Sequence, residues 1–600
     1  MATQEATQTI QQKNNSKGII TYDLVLVGGS PSNLTLAHRL CDLMKDHPEM
    51  QLTVAILEKA ENFGSHIVSG AVVTKSIFDK AFPNHIAEGM PIETVCEESH
   101  FSLLGSKGKW DMPSVLTRTL LPDFCKEGYY VLTLSNVVAW MATSLQEKAK
   151  TVPNISIDMF TGFPATQAII ENEKVIGVKV AETGDPVEDH VYGNLICFGD
   201  KGFVSKDVIQ HFGLATNPQL WSVGVKETWR LAPNSPKMKG KVYHTLGYPT
   251  LDGSLGGGFV YGLDYDRVTI GLVISLDSKN PNINPQKQLQ EYKKHPWLQK
   301  MLKGAELLNY GAAVLPEGGY ASLPSEFQFN GGLLLGDALG LLDMKSLSGV
   351  DKAIESGYIA AEVVLEAFKS GNYSAEALSA YQEELTHSPY MDKLKSNKYF
   401  RKAFLENPKM LETYVPKILD SVDYSGNPIL GALQVGLTDP INATRIAIKT
   451  ALYMNAPSEV NEVIHYKAGY KNIDPNFDQK LIARNISHNA FNKDTVYSRE
   501  DAVFYAKTKY EEHPHHIDEF SADTCLKCIT KYQSVNLDVP CVSDCTAEVH
   551  RLDIRTDGVK THGMSLENCV QCRTCEFVCP EQNLRVNAAY SGAGPDFRGL

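Results

Sequence analysis

The chain has 600 residues and carries 57 Lys and Arg against 70 Asp and Glu, a net charge of −13. That balance argues against a nucleic-acid partner, because binding a phosphate backbone rests on clustered basic side chains. The length exceeds what one hydrophobic core organises, so several domains are expected, and 43% hydrophobic with 21% charged residues is the composition of an ordinary folded protein.

Residues 1–18, MATQEATQTIQQKNNSKG, contain neither an apolar run nor an arginine. They read as a disordered tail rather than a secretory or transit segment, which implies cytoplasmic placement. A short apolar run, Tyr22 to Val27, then ends in Gly28-Gly29-Ser30-Pro31-Ser32-Asn33. Apolar residues at helical spacing follow at Leu34, Leu36, Ala37, Leu40 and Leu43, and a second apolar run, Leu52 to Leu57, ends at Glu58. Strand, tight turn, helix, strand and acid in that order predict the opening of a dinucleotide-binding βαβ unit. Backbone N–H groups of the turn would face a pyrophosphate, and Glu58 would accept bonds from a ribose hydroxyl. Where G-x-G-x-x-G has its second and third glycines, this chain has Ser30 and Asn33. Both are small, and asparagine tolerates left-handed backbone angles, so the turn is compatible with the fold.

Strand-like runs continue at Val175–Val180, Leu195–Gly199, Val223–Trp229, Phe259–Leu263 and Val268–Ile274. They suggest an antiparallel substrate or acceptor sheet inserted into the cofactor domain. An apolar strand from Gly331 runs into Gly336-Asp337 and then a helical stretch, Gly349 to Phe368. In flavoproteins with two dinucleotide folds, an aspartate so placed bonds the ribityl chain of FAD while the next helix points its N-terminus at the phosphates. A plain N-cap aspartate is the alternative. Residues 375–455 turn helical and more charged. The expected class is mixed α/β, with a tail at 1–18, an FAD domain at 19–374 holding the inserted sheet at about 200–330, a helical region and linker at 375–510, and a cysteine-rich domain at 511–600.

Of twelve cysteines, Cys41, Cys96, Cys125 and Cys197 are scattered and read as small buried hydrophobes. The other eight fall in the last 76 residues, as Cys525-x2-Cys528-x12-Cys541-x3-Cys545 and Cys569-x2-Cys572-x2-Cys575-x3-Cys579-Pro580. The second group has the bacterial ferredoxin spacing, in which three thiolates hold one cubane and the fourth reaches another. With that crossover, Cys525, Cys528, Cys541 and Cys579 bind one 4Fe–4S cluster, and Cys545, Cys569, Cys572 and Cys575 the other. Structural zinc is the alternative for either group, and an empty, degenerate site for the first. His513, His515 and His516 precede the cysteines and read as part of a solvated linker. No catalytic side-chain set is expected, because cofactors of this kind carry the chemistry themselves.

Taken together, the sequence resembles the electron-transfer flavoprotein:ubiquinone oxidoreductase family over nearly its whole length from about residue 20. The resemblance rests on Leu57-Glu-Lys59, Gly64-Ser-His66, Gly224-Val-Lys-Glu-Thr-Trp229, His244-Thr-Leu-Gly-Tyr-Pro249, Gly256-Gly-Gly-Phe259, Tyr310-Gly-Ala312, Glu317-Gly-Gly319 and the terminal Gly592-Ala-Gly-Pro595. It implies FAD held by Gly28, Gly29, Ser30, Pro31, Ser32, Asn33, Glu58, Gly336 and Asp337. It also implies a quinone headgroup met by the backbone of Gly256 and Gly257, for which a strand-edge bulge is the bland alternative. The implied partners are an electron-transfer flavoprotein and quinone, and the implied metal group is a single cubane at Cys545, Cys569, Cys572 and Cys575. The set Cys525, Cys528, Cys541 and Cys579 is additional to the family pattern, so a soluble reductase serving a ferredoxin or oxygenase is the rival expectation. Family members dip an apolar helical surface into the bilayer. The matching segment, Asn427 to Met454, is too broken to span it and reads as a shallow interfacial contact or as packing on the protein's own core, with Ile77, Phe78, Ala81 and Phe82 as a second half. The implied location is the cytoplasm, peripheral on the inner face of the membrane.

Overall fold

The computed structural model describes residues 19–181, 188–454, 462–510, 515–588 and 592–600. The tail at 1–18 and His513 lie outside the described residues.

The first sheet is built around parallel strands. Ile19–Val27 lies between Leu52–Glu58 and Glu188–Phe198, with Ile155–Thr161 and Gly332–Leu334 beyond them on either side. Leu24, Val25 and Leu26 have no exposed surface, as expected of a central strand covered on both faces. The helix Pro31–Met44 starts on Pro31 behind the cap Ser30. It lies against the helix Val350–Ser370 so closely that a Cβ at Gly357 would stand 2.0 Å from Ser32 O. Asp337 sits in a short 3-10 turn, Gly336–Ala338, that directly follows the strand Gly332–Leu334.

The second sheet has seven strands. Glu306–Pro316, Trp221–Arg230, Arg267–Ser275, Gly256–Gly262 and Lys241–Gly247 pair antiparallel in that order. Two more, Glu98–Leu104 and Lys109–Asp111, come from well before the expected insert, and the first of them pairs parallel with Lys241–Gly247. The expected strands Val175–Val180 and Leu195–Gly199 belong instead to the first sheet, in Lys174–Ala181 and Glu188–Phe198. Both segments alternate as any strand does; which sheet they join is settled by tertiary pairing.

The cysteine-rich region does not stand apart. Its side chains share one apolar core with the second sheet, in which Val223, Val225, Leu272 and Tyr310 join Ile529, Tyr532, Val570 and Val578. The Trp221 and Phe577 rings stack at 4.2 Å. Residues 389–454 are largely helical, and among the described residues no helix is long and apolar enough to cross a membrane.

Replacing Gly357 by valine pushes branched carbon into the Ser32 backbone. Overpacking of this kind costs about 1–3 kcal/mol, so thermal unfolding of the purified variant is expected at a lower temperature, and an unchanged midpoint would contradict the close helix packing.

Candidate functional site

The C-terminal ends of the central strands open onto a cavity at the point where the chain turns either way from Ile19–Val27, the usual ligand position in such sheets. Gly28, Gly29, Ser30, Pro31, Ser32, Glu58 and Asp337 line it from the first sheet, and Lys226, Phe259, Tyr261 and Val273 from the second. Gly28 has φ of +93°, and a Cβ on Gly29 would strike the Phe63 ring at 2.5 Å and Glu58 Oε2 at 2.7 Å. The glycines that the turn requires are therefore the two retained.

Ser30 and Asn33, the departures from the glycine pattern, have structural work. The Ser30 hydroxyl accepts from Asn33 N–H at 3.4 Å, capping the helix. The Asn33 side-chain amide donates to Val27 O at 2.9 Å and Gly28 O at 2.8 Å. Asn33 is fully buried and does not line the cavity; it holds the turn from behind. Gly336 likewise stands behind the lining, its N–H donating to Ser356 Oγ at 3.1 Å. The Glu58 carboxylate accepts from Gly29 N–H at 2.8 Å and Ala60 N–H at 2.7 Å. Burial raises its pKa, and those two bonds work in the opposite direction. An acid fixed beside a glycine turn at strand ends suits the ribose and pyrophosphate of a dinucleotide.

The wall opposite the first sheet includes Val570, Gln571, Cys572 and Arg573. Gln571 and Arg573 adopt positive φ, +52° and +67°, as the loop wraps between cavity and cysteines. Lys59 Nζ donates to Gln571 Oε1 at 3.0 Å, Val314 N–H to Cys572 O at 3.0 Å, and Arg573 to the carbonyls of Lys201 and Gly202. Spacing marked Cys572 as a metal ligand but gave no sign that its loop also closes the cavity. A local signal was Lys59, a cation directly after the strand Leu52–Glu58.

The eight cysteines form two groups. Cys525, Cys528, Cys541 and Cys579 line one small pocket together with His562. Cys545, Cys569, Cys572 and Cys575 are close enough for their charges to interact. Sulfur acceptors in both groups already face donors: Val549 N–H to Cys545 at 3.2 Å, Gln571 N–H to Cys569 at 3.3 Å, Thr546 Oγ1 to Cys572 at 3.3 Å, Asn583 N–H to Cys579 at 3.2 Å and Asn583 Nδ2 to Cys525 at 3.1 Å. Such donors stabilise thiolates and set the potential of a bound cluster. Burial, with neighbouring negative charge adding to it, pushes the thiols of Cys525 and Cys528 up to about 12, so bound metal is what would hold them ionised.

Beside the first group, ring nitrogens of His550 and His562 lie within 4.8 Å of each other and of Cys541 Sγ, while His562 also pairs with Glu519. His516 is not solvated: it has no exposed surface and stacks on Tyr510 at 5.0 Å, whose hydroxyl donates to Cys569 O at 2.6 Å. Cys41, Cys96 and Cys197 are buried and Cys125 partly so.

Known proteins are similar to this chain over nearly its full length. A family model described as ETF-QO, ubiquinone-binding, matches residues 221–315. An electron transfer flavoprotein-ubiquinone oxidoreductase of Pseudomonas aeruginosa is 27% identical over 596 residues, covering 96% of this chain and 98% of that protein. The mitochondrial protein of the same name from Oryza sativa is 28% identical over 603 residues, covering 96% and 93%. Over nearly its whole length the chain is thus similar to electron transfer flavoprotein-ubiquinone oxidoreductases, and residues 221–315 match the ubiquinone-binding model of that family. Among solved structures, a geranylgeranyl bacteriochlorophyll reductase-like protein of Thermoplasma acidophilum aligns with TM-score 0.51 and 18% identity over 72% of this chain and all of that one, a likeness of fold alone.

Gly256 and Gly257 fall inside the segment matched by that family model. Here they pair in continuous register with Ile274 and Val273, so they form no bulge. A Cβ at Gly257 would meet Thr245 O at 2.7 Å. Neither lines the cavity, which Phe259 and Tyr261 of the same strand reach instead. Ile77 and Phe78 are fully buried and Phe82 is 5% exposed, so this segment packs in the first domain's core and is not half of a membrane contact. The segment Asn427 to Met454 behaves differently. Its helices Ile429–Thr438 and Pro440–Met454 expose Leu433, Leu437, Ile441, Ile448 and Leu452, with Leu437 82% and Ile441 81% exposed. Val435 and Ile446 turn inward onto Tyr414, with Ala443 packed beside them.

Asn33→Ala removes both bonds that brace the turn. The expected cost is about 1–3 kcal/mol, with a lower flavin-to-protein ratio after gel filtration; a variant that melts and retains flavin like the parent would contradict this role.

Proposed function

We propose that this chain passes electrons from an electron-transfer flavoprotein to quinone through FAD and two 4Fe–4S clusters. The observation that carries the proposal is the shared wall: the loop bearing Cys569, Cys572 and Cys575 is also a side of the dinucleotide cavity. FAD, when bound, exchanges one or two electrons, whereas a cubane exchanges one, so adjacent sites can join a one-electron donor to a two-electron acceptor.

In this proposal Gly28 to Ser32 present backbone N–H groups to the FAD pyrophosphate, Glu58 holds its ribose, and Asp337 faces its ribityl side. Asn33 and Gly336 shape the turn. Cys545, Cys569, Cys572 and Cys575 hold the inner cluster. The outer cluster is assigned to Cys525, Cys528, Cys541 and Cys579, a grouping supported by their common pocket. Quinone meets the backbone near Gly256 and Gly257.

The exposed apolar row from Leu433 to Leu452 supports shallow seating on a bilayer, with Arg445 and Lys449 among the residues beside it. The proposed location is therefore peripheral, on the inner face of the cytoplasmic membrane. Full-length likeness to ubiquinone oxidoreductases favours this over a soluble reductase serving a ferredoxin or oxygenase.

Anaerobic iron and sulfide analysis with electron paramagnetic resonance tests the cofactor set. About eight irons per chain are expected, falling to about four in Cys579→Ala with the inner signal kept. About four in the parent would remove the outer cluster, and zinc in place of iron would remove the proposal. In stopped flow, the reduced protein should be reoxidised by a short-chain quinone faster than by a ferredoxin; the reverse order would favour the soluble reductase.

A further inference from the structure

Lys226 has no part in the function above, yet it is a charged group in the cavity. It lies in the strand Trp221–Arg230, is 3% exposed, and lines the end of the cavity formed by the second sheet. Its ammonium donates to Ser69 O at 2.6 Å and forms no ion pair among the described residues. Glu93 is the acid whose charge reaches it, but that carboxylate is held by Arg267 at 2.8 Å and by the Thr133 hydroxyl at 2.7 Å.

The remaining titratable groups nearby do not compensate it. Tyr261 is paired with His244 at 2.9 Å, and burial keeps that histidine neutral, with a pKa of about 3. Glu317, also in the lining, is committed to Arg401 and Ser222. Around Lys226 the lining is otherwise apolar, with Val225, Phe259 and Val273. A cation so poorly satisfied in a low-dielectric wall marks a place where a negative charge is met.

With the phosphates at Gly28 to Ser32 and the ribose at Glu58, the other end of an FAD reaches the second sheet. We propose that Lys226 is the cation facing the redox ring of FAD and that it stabilises the negative charge the ring gains on reduction. This rests on FAD occupying the cavity. At neutral pH, two electrons and one proton enter the ring and leave one negative charge; no bond to Lys226 forms or breaks.

Burial lowers the lysine's pKa to about 7, and the charge on the reduced ring raises it again. Below that value Lys226 is already protonated, so one proton accompanies each electron pair. Above it, reduction also draws a proton onto the lysine, and two protons accompany the pair.

The test is a spectroelectrochemical titration of the flavin in the intact protein between about pH 6 and about pH 9, comparing the parent with Lys226→Met and Lys226→Arg. At the acid end the methionine variant should be at least about tenfold harder to reduce, roughly 30 mV lower for a two-electron couple. At the alkaline end it should take up one proton, where the parent takes up two. The arginine variant should keep the parent's potential at the acid end but lose the second proton at the alkaline end, and it decides the matter alone if the methionine variant binds no flavin. A methionine variant with the parent's potential, or an arginine variant with the parent's proton count, overturns the role of Lys226. A parent protein that never holds flavin overturns the FAD assignment instead. The inner cluster's potential, read by paramagnetic resonance, should be the same in all three.

Discussion

The loop Val570 to Arg573 belongs to two sites at once. One side carries Cys569 and Cys572, and the other closes the dinucleotide cavity. Three anchors from the other side of that boundary fix it: Lys59 on the Gln571 side chain, Val314 N–H on Cys572 O, and Arg573 on the Lys201 and Gly202 carbonyls. These contacts tie the first sheet, the second sheet and the cysteine-rich region to a few residues of backbone. Any charge moving between cavity and cysteines then crosses side-chain distances rather than a domain gap.

That arrangement explains why the cysteine-rich region shares its core with the second sheet. A tethered module on a linker would sample many distances, whereas one whose Val570 and Val578 are buried beside Val225 and Leu272 has a single one. Electrostatics follow the same plan. Lys59, lowered to about 8 by burial, stands between Glu58 and the cysteine loop. Arg573 pairs with Glu576, which Lys206 also holds. Cations are thus concentrated where thiolates and a bound dinucleotide bring negative charge.

Much of this was legible in the chain itself, for physical reasons. The strand-turn-helix from Tyr22 to Leu43 is local, so apolar period and turn residues reveal it. Ligand spacing within Cys569–Cys579 is likewise local. What the sequence could not carry was partner choice. Val175–Val180 alternates like the strands of the second sheet but joins the first, since alternation reports a buried face without naming the neighbour. Ile77 and Phe78 suit a membrane face as well as a core; contacts of Phe78 with His85 and Tyr130 decide for the core. His516, amid polar residues, is buried because Tyr510 stacks on it. Leu437 and Ile441 are apolar residues that no described part of the chain covers.

The central claim is that the inner cysteine group and the flavin are neighbours across one loop. Pulsed electron paramagnetic resonance on the partly reduced protein measures this directly, through the spin relaxation of a flavin radical beside a reduced cluster. Relaxation should be strongly enhanced when the inner cluster is reduced and slow when it is oxidised. A flavin radical that relaxes at the same rate in both states would place the two centres too far apart for this account.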